Sequence, residues 1–334
     1  MRRILLAATV ACAPFTATAN PSITGIIDDH ILPRFEALAL TSQALSQAAM
    51  QNCDPTSDDL RTAYGAAFDA WVSASHLRFG PTEVDDRAFA LAFWPDSRGA
   101  TPRALATLIA DEDPIGLDAV GYSEVSIAAR GFYALEFLIY DDDLMNAGNS
   151  AYHCTLVQTV TADIAATSLA IHNDWQTHKD VLLSPGPDAT YRSDEEVLQE
   201  MLRALTAGLQ FTQDSRLGRP LGTFDRPRPT RAEARRSGRS ALHVVLSLMS
   251  LQDLASHLAV SDATLSDTLD RQFEDALGKL AALNDPIFAG VADPQSRLRV
   301  EVISQSIKTI RTTVGTELGP TLGVAAGFNS LDGD

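Results

Sequence analysis

Apolar residues in this chain recur at intervals of three and four, the spacing that places side chains on one face of an α-helix. The spacing is clear in three segments: Ile27, Ile31, Phe35 and Leu38; Leu242, Val245, Leu246 and Met249; and Ile303, Ile307, Ile310 and Val314. No convincing alternation of apolar and polar residues occurs, so nothing indicates a β-strand. With 45% hydrophobic residues among 334, the chain can bury one large core or two ordinary ones. The sequence therefore predicts an all-α fold.

Residues that start or break helices lie between these periodic segments and predict where the helices begin and end. The predicted long helices cover residues 22–51, 57–78, 123–140, 150–180, 194–213, 231–258, 262–283 and 294–315, with shorter pieces over 86–118. The stretches 193–196 and 230–233 both have the pattern of a capping box, and Pro33 is expected to kink the first helix or to mark its true start. Because 184–188 is rich in proline and glycine, we predict two helical bundles, an N-terminal one over 20–188 and a C-terminal one over 189–334.

The first residues have the composition of an export signal. Two arginines follow Met1, an apolar stretch covers 4–13, and Ala17-Thr18-Ala19 is typical of a cleavage site. We therefore expect a signal peptide over 1–19, cleavage after Ala19, and a periplasmic or otherwise exported protein. A lipoprotein cleavage site at Cys12 is the alternative, with a poorer match. No later stretch reaches the roughly 18 consecutive apolar residues that a membrane span requires, so we expect no membrane span.

The net charge of the chain excludes some classes of binding partner. The formal net charge of −17 repels phosphate backbones and anionic lipid, so we expect no nucleic-acid partner. The same charge would attract cations, or it serves ordinary solubility.

After signal cleavage two cysteines remain, Cys53 and Cys154. An even pair of cysteines in an exported protein predicts one disulfide between them.

The segment Gly131–Glu136 places a carboxylate inside an apolar run that continues to Tyr140. On a helix, Tyr133, Glu136 and Tyr140 share one face and form a stripe of oxygen-bearing side chains. Burying a carboxylate is costly unless another group compensates it. The stripe is therefore either a binding site or a hydrogen-bonded network within the core.

Three further segments combine charged and aromatic side chains with residues that end helices. They are Arg78-Phe79-Gly80-Pro81, Phe93-Trp94-Pro95-Asp96, and the basic, hydroxyl-rich patch at 235–240. The patch is either a ligand site or a solvated face, or it makes salt bridges between domains. As candidate binding residues we take Arg78, Asp96, Arg236, Arg239 and Ser240. The usual zinc-peptidase, phosphate-loop and nucleophile-elbow motifs are absent from the sequence.

The order of these motifs, followed by the ending at 322–329, resembles the imelysin family of bacterial envelope proteins over nearly the whole chain after the signal. The resemblance implies an all-helical, two-domain fold with a Gly-x-His-x-x-Glu motif near the domain interface. It also implies an exported protein linked to iron acquisition, and some members of the family are classed as metallopeptidases. Gly131 and Glu136 match the motif, but Tyr133 occupies the position of its histidine.

The tyrosine changes the chemistry of the motif. A zinc hydrolase uses imidazole or thiolate ligands, whereas Tyr133 and Glu136 offer only oxygen, which suits a hard cation such as ferric iron. One hypothesis is therefore a non-catalytic binding protein for iron or an iron chelate, acting with envelope iron-uptake proteins. In it Tyr133 and Glu136 are metal ligands, or Glu136 is a hydrogen-bonded anchor with Tyr133 beside it, and Arg236, Arg239 and Ser240 balance the buried carboxylate or hold an anionic chelate. The alternatives are a metal-dependent peptidase, and a helical scaffold or polysaccharide-binding module that has lost the metal.

Overall fold

The computed structural model describes residues 21–324, and within them the regular structure is helical, with no strand beyond one isolated bridge between Thr223 and Arg226. The all-α prediction is confirmed. The predicted signal peptide over 1–19, its cleavage after Ala19, the Cys12 alternative and most of the motif at 322–329 lie outside the described residues.

The longer α-helices are numbered here in chain order. They are α1 Leu32–Gln51, α2 Asp58–Ala74, α3 Arg87–Leu91, α4 Ala100–Asp111, α5 Gly131–Tyr140, α6 Ser150–Leu183, α7 Asp194–Gln210, α8 Ser240–Leu258, α9 Ala263–Leu283 and α10 Pro294–Thr313. Three are continued by π-helical turns: Ile26–Ile31 before α1, Phe211–Leu217 after α7 and Val314–Leu318 after α10. Pro33 is the second residue of α1, directly after the first π-helical segment. Because Ile23–Gly25 is α-helical and Ile26–Ile31 is π-helical, the proline does not mark the start of the first helix; it follows the change from π-helical to α-helical hydrogen bonding.

Two predicted helix starts are wrong. The helix predicted from residue 123 begins at Gly131, because 121–129 forms short 3₁₀ turns. The helix predicted from residue 231 begins at Ser240. Ala234 and Gly238 have φ of +46° and +73°, values that interrupt a right-handed helix. Thr230–Glu233 is therefore not a capping box, and the carboxylate of Glu233 is free to turn into the core.

The long helices pack side by side. In the first half of the chain α1 lies against α2 and α6, and in the second half α9 lies between α8 and α10. Helix α8 also packs against α2 and α7, so it joins the two halves. The buried apolar side chains form one continuous cluster on both sides of residue 188. The division into two bundles at that residue stays a prediction.

Cys53 and Cys154 form a disulfide, with their Cα atoms 5.2 Å apart. It ties the chain just beyond the end of α1 to the first turns of α6, across a sequence separation of 101 residues. A closed loop of that length restricts the unfolded chain by roughly 4–5 kcal/mol in the chain-entropy description. The disulfide therefore fixes the end of α1 against α6, the helix on which α5 packs.

Among residues 21–324, length and hydropathy alone would allow one helix to cross a membrane. This is α6, whose most apolar window of 18 residues has a mean hydropathy of 1.3 and is 56% buried inside the protein. Its Asp163 carboxylate is buried and accepts two hydrogen bonds from Arg130, at 2.7 and 3.0 Å. Such features are typical of a core helix. The absence of a membrane span stays a prediction.

Candidate functional site

The first residue of the motif, Gly131, sets the position of α5. Its φ of +75° favours glycine, and a Cβ atom there would lie 2.2 Å from the carbonyl oxygen of Leu91 and 2.3 Å from that of Ala90. No other residue allows the backbone to approach the end of α3 so closely. The start of α5 is therefore fixed against α3, which turns Tyr133 and Glu136 toward the segment 231–240.

Tyr133 reaches an acid that lies 100 residues away in sequence. Its hydroxyl donates a short hydrogen bond to Oε1 of Glu233, and Oε2 of Glu233 accepts from Nε of Arg216 at 2.7 Å. The exposed fractions of Tyr133, Glu233 and Arg216 are 6%, 2% and 3%. This is a buried chain of phenol, carboxylate and guanidinium, which we call the interface triad.

Burial and the interactions among the three side chains of the interface triad determine their protonation states. Burial and the neighbouring Glu233 carboxylate raise the pKa of Tyr133 well above its ordinary value, so the phenol keeps its proton. Burial also raises the pKa of Glu233, but Arg216, His243 and Tyr133 together outweigh it and lower that pKa to about 2. At neutral pH the triad therefore contains a neutral phenol, a carboxylate and a guanidinium.

Arg216 is positioned by the π-helical turn Phe211–Leu217, an irregularity that is frequent at functional sites. Its Nη1 donates to Ser247 on α8 at 3.2 Å, and its Nη2 donates to Ser75, directly after α2, at 3.4 Å. His243 completes the surroundings. Its Nδ1 lies 3.4 Å from Oε2 of Glu233, and neither ring nitrogen makes a well-aligned hydrogen bond.

Glu136 is held by a single residue of the opposite half. Its Oε1 accepts from the backbone N–H of Ser237 at 2.9 Å and from the Ser237 hydroxyl at 2.8 Å. Only 3% of Glu136 is exposed, and burial raises the pKa of its carboxyl against the opposing effects of Ser237 and Arg236. The compensation that a buried carboxylate requires is therefore supplied mainly by Ser237.

The predicted basic residues of this segment have partners of their own. Arg236 donates to Asp141 at 2.6 Å, and its guanidinium lies 3.8 Å from the centre of the Phe137 ring. Arg239 makes a double hydrogen bond with Asp69 on α2. Ser240 donates from its hydroxyl to the backbone carbonyl of Glu233. The 235–240 patch thus makes ion pairs between the two halves of the chain, one of the three interpretations left open by its sequence.

The remaining two predicted binding residues have local partners. Arg78 pairs with Glu83, and Asp96 accepts from the backbone N–H of Thr101 at 2.9 Å at the start of α4. Neither forms a hydrogen bond or ion pair with the motif within residues 21–324. Trp94, two residues before Asp96, does approach it, because its ring stacks 6.1 Å from that of Tyr133.

Sequence reasoning missed Glu233, Arg216 and His243. Glu233 lies between two alanines in the sequence, the same signal of a buried carboxylate that identified Glu136, but the capping-box pattern suggested a different role. Arg216 follows the end of the predicted helix 194–213, and only the π-helical turn brings it inward. No local pattern could have paired either residue with Tyr133.

This arrangement does not fit a metal ion. The hydroxyl of Tyr133 donates to Glu233, the Glu233 carboxylate is neutralised by Arg216, and Oε1 of Glu136 is engaged by Ser237. In the part of the chain that the structure describes, no three His, Cys, Asp or Glu side chains are placed to hold a metal. A guanidinium within the same group of side chains also repels a cation. The group is suited to joining two surfaces of the protein.

Comparison with known proteins identifies the family. The family model Peptidase M75, described as Imelysin, matches residues 31–314, so the chain belongs to the imelysin family. No curated protein matches the sequence. A solved imelysin-like protein from Psychrobacter arcticum 273-4 is similar in structure, with a TM-score of 0.79 and 23% identity, over 92% of this chain and 96% of that one. A second, from Parabacteroides distasonis ATCC 8503, is provisionally named an iron-regulated protein A precursor; it has a TM-score of 0.66 and 14% identity, over 89% of this chain and 95% of that one.

Proposed function

We propose that this chain is an exported, non-catalytic imelysin-like protein that binds an iron chelate in the bacterial envelope. In this proposal the family motif joins the two halves of the helical fold and does not hold a metal. The observation that carries the proposal is that the motif oxygens already have partners within the protein: the Tyr133 hydroxyl bonds to Glu233, and Oε1 of Glu136 accepts two hydrogen bonds from Ser237. A metal-dependent peptidase of the zinc type uses imidazole or thiolate ligands and keeps an open position for water, whereas the motif offers a hydrogen-bonded phenol and a hydrogen-bonded carboxylate.

The iron part of the proposal rests on family membership and on the name of one solved relative. An intact chelate is favoured over the bare ion because the Tyr133 hydroxyl and Oε1 of Glu136 are already hydrogen-bonded within the protein. A chelate with ionised carboxylates presents an anionic surface, which arginines can bind without displacing the iron. Envelope iron-uptake proteins would be the partners that deliver or receive the chelate.

Calorimetric titration with ferric citrate tests this function. We expect wild-type protein to bind ferric citrate, and Tyr133→Phe and Glu136→Gln to bind it with the same stoichiometry and similar affinity, because neither side chain touches the ligand. Circular dichroism establishes that each variant is folded. Absence of binding to wild-type protein removes the iron function. Loss of binding in both folded variants returns Tyr133 and Glu136 to the role of ligands.

The second candidate is a metal-dependent peptidase, which the name of the matching family model favours. Incubation of the purified protein with an unfolded substrate, with and without a chelator, distinguishes the two candidates. We expect no cleavage in either condition. Cleavage that stops on addition of the chelator, and that Glu136→Gln abolishes, would establish the peptidase.

A further inference from the structure

Four of the arginines on the connection between α7 and α8 lie within the stretch 219–231, and we call them the arginine cluster: Arg219, Arg226, Arg228 and Arg231. The stretch 219–231 contains a single acid, Asp225. Within residues 21–324, no side chain of the cluster makes an ion pair or a side-chain hydrogen bond. In a chain with a net charge of −17, such a group of unpaired positive charges needs an explanation.

The arginines are close enough to influence one another. Arg226 and Arg231 lower the pKa of Arg228, and burial together with Arg231 lowers the pKa of Arg219. Guanidinium groups stay charged throughout the physiological range, so the cluster carries its full positive charge in the cell. The mutual repulsion is a cost in the free protein, and a bound anion would relieve it.

The fold holds this connection in a defined shape. Gly222 has a φ of +57°, and a Cβ atom there would lie 2.4 Å from the carbonyl oxygen of Arg226. The backbone N–H of Arg228 donates to the carbonyl of Pro220 at 2.9 Å. Prolines alternate with the last arginines and restrict the backbone further. A preformed loop loses little conformational entropy when a ligand binds.

The arginine cluster differs from the basic residues predicted to hold an anion. Arg236 and Arg239 are neutralised by Asp141 and Asp69 and have little charge left for a ligand. Apart from Arg235, the unpaired positive charge of this connection lies on the preceding loop. That loop lies next to the motif, because the guanidinium of Arg219 is 5.7 Å from the ring centre of Trp94, which stacks on Tyr133.

We propose that the arginine cluster binds a multiply charged carboxylate of the citrate type, beside Trp94. Each guanidinium can pair with one carboxylate through two parallel hydrogen bonds. Several carboxylates on one ligand would therefore satisfy several arginines, whereas a monocarboxylate satisfies only one. This inference rests on the proposed function and assigns the surface that contacts the ligand.

Titration of the full-length protein with citrate, acetate and phosphate, by calorimetry and by tryptophan fluorescence, tests the site. Trp71 and Trp175 are buried whereas Trp94 is only partly buried, so we expect citrate to change the emission mainly through Trp94. The test variant is Arg226→Gln/Arg228→Gln. The control variant is Arg103→Gln/Arg299→Gln, which removes the same charge from exposed positions elsewhere.

We expect wild-type and control proteins to bind citrate equally well and the test variant to bind it about ten-fold more weakly or worse. We also expect citrate to be preferred over acetate and phosphate, and binding to weaken as salt is added. In Trp94→Phe the emission change should vanish while calorimetric binding persists. Equal citrate affinity in the test and control variants overturns the site, and so do phosphate or acetate binding as tight as that of citrate.

Comparison with ferric citrate separates this inference from the proposed function. If ferric citrate binds and the test variant binds it equally well, the proposed function stands and the arginine cluster is not its site. If free citrate binds through the cluster and ferric citrate does not, the site stands and the iron function fails.

Discussion

Replacing Glu233 with glutamine tests the interface triad most sharply. Glutamine keeps the shape of the side chain and can still accept a hydrogen bond from Tyr133, but it removes the charge opposite Arg216. The two side chains of the ion pair are 3% and 2% exposed. Leaving one partner of a buried ion pair without the other costs about 3–5 kcal/mol. We therefore expect Glu233→Gln to lower the free energy of unfolding by that amount.

The expected loss of free energy corresponds to a shift of the melting temperature, which differential scanning calorimetry measures. The entropy of unfolding is about 2.1 cal/mol/K per residue, which for 334 residues gives about 0.7 kcal/mol/K. The melting temperature should then fall by about 4–7 °C. The matched control is Glu83→Gln, which breaks the ion pair of Arg78 at the surface, where both side chains are more than one-third exposed.

An exposed pair of this kind contributes about 0–1 kcal/mol, so the control should melt within about 1 °C of the wild type. If Glu233→Gln melts no lower than Glu83→Gln, the buried ion pair does not hold the two halves together and the reasoning fails. An increase in stability would be an equally clear refutation.

Three further predictions concern acid, the motif glycine and Ser237. Burial lowers the pKa of His30 from 6.5 to about 4, so the unfolded chain takes up the proton first and the free energy of unfolding falls as the pH drops from 6.5 toward 4. By about pH 5 the loss from this residue is roughly 2 kcal/mol. In urea unfolding, the free energy of unfolding of His30→Gln should therefore depend less steeply on pH than that of the wild type. Gly131→Ala should destabilise by at least about 1–3 kcal/mol because of its positive φ and its contact with α3, whereas Gly278→Ala, in open space on α9, should stabilise by about 0.5–1 kcal/mol; equal melting temperatures contradict the packing argument. Ser237→Ala should cost about 1–2 kcal/mol, because one of two hydrogen bonds to the Glu136 carboxylate is lost; the same cost measured in a Glu136→Gln background would show that the two residues are not coupled.

Features that depend only on neighbouring residues could be predicted from the sequence. Helical spacing placed Tyr133 and Glu136 on one face, and their environment required a compensating group. Periodicity is a local property, and the apolar stripe of α5 is regular enough to be recognised without a structure. Pro33, in contrast, does not start the first helix, which is already helical from Ile23.

The partners of those residues could not be found from the sequence, since they are set by tertiary packing. Glu233 meets Tyr133 across 100 residues, through a loop whose positive φ values interrupt a predicted helix. Arg216 is buried only because a π-helical turn rotates it toward α8. The loop with positive φ values and the π-helical turn each involve only a few residues. Together they bring Glu233 and Arg216 to Tyr133, so the motif is part of a hydrogen-bonded network instead of an open pair of oxygens.

Elemental analysis of untagged protein, purified from iron-replete cells and dialysed without chelator, tests most directly whether the motif holds a metal. We predict the same iron and zinc content per chain in wild-type protein and in Tyr133→Phe, because any iron is held as a chelate away from the motif. One bound metal per chain in wild-type protein, lost in Tyr133→Phe while the fold is retained, would contradict the account.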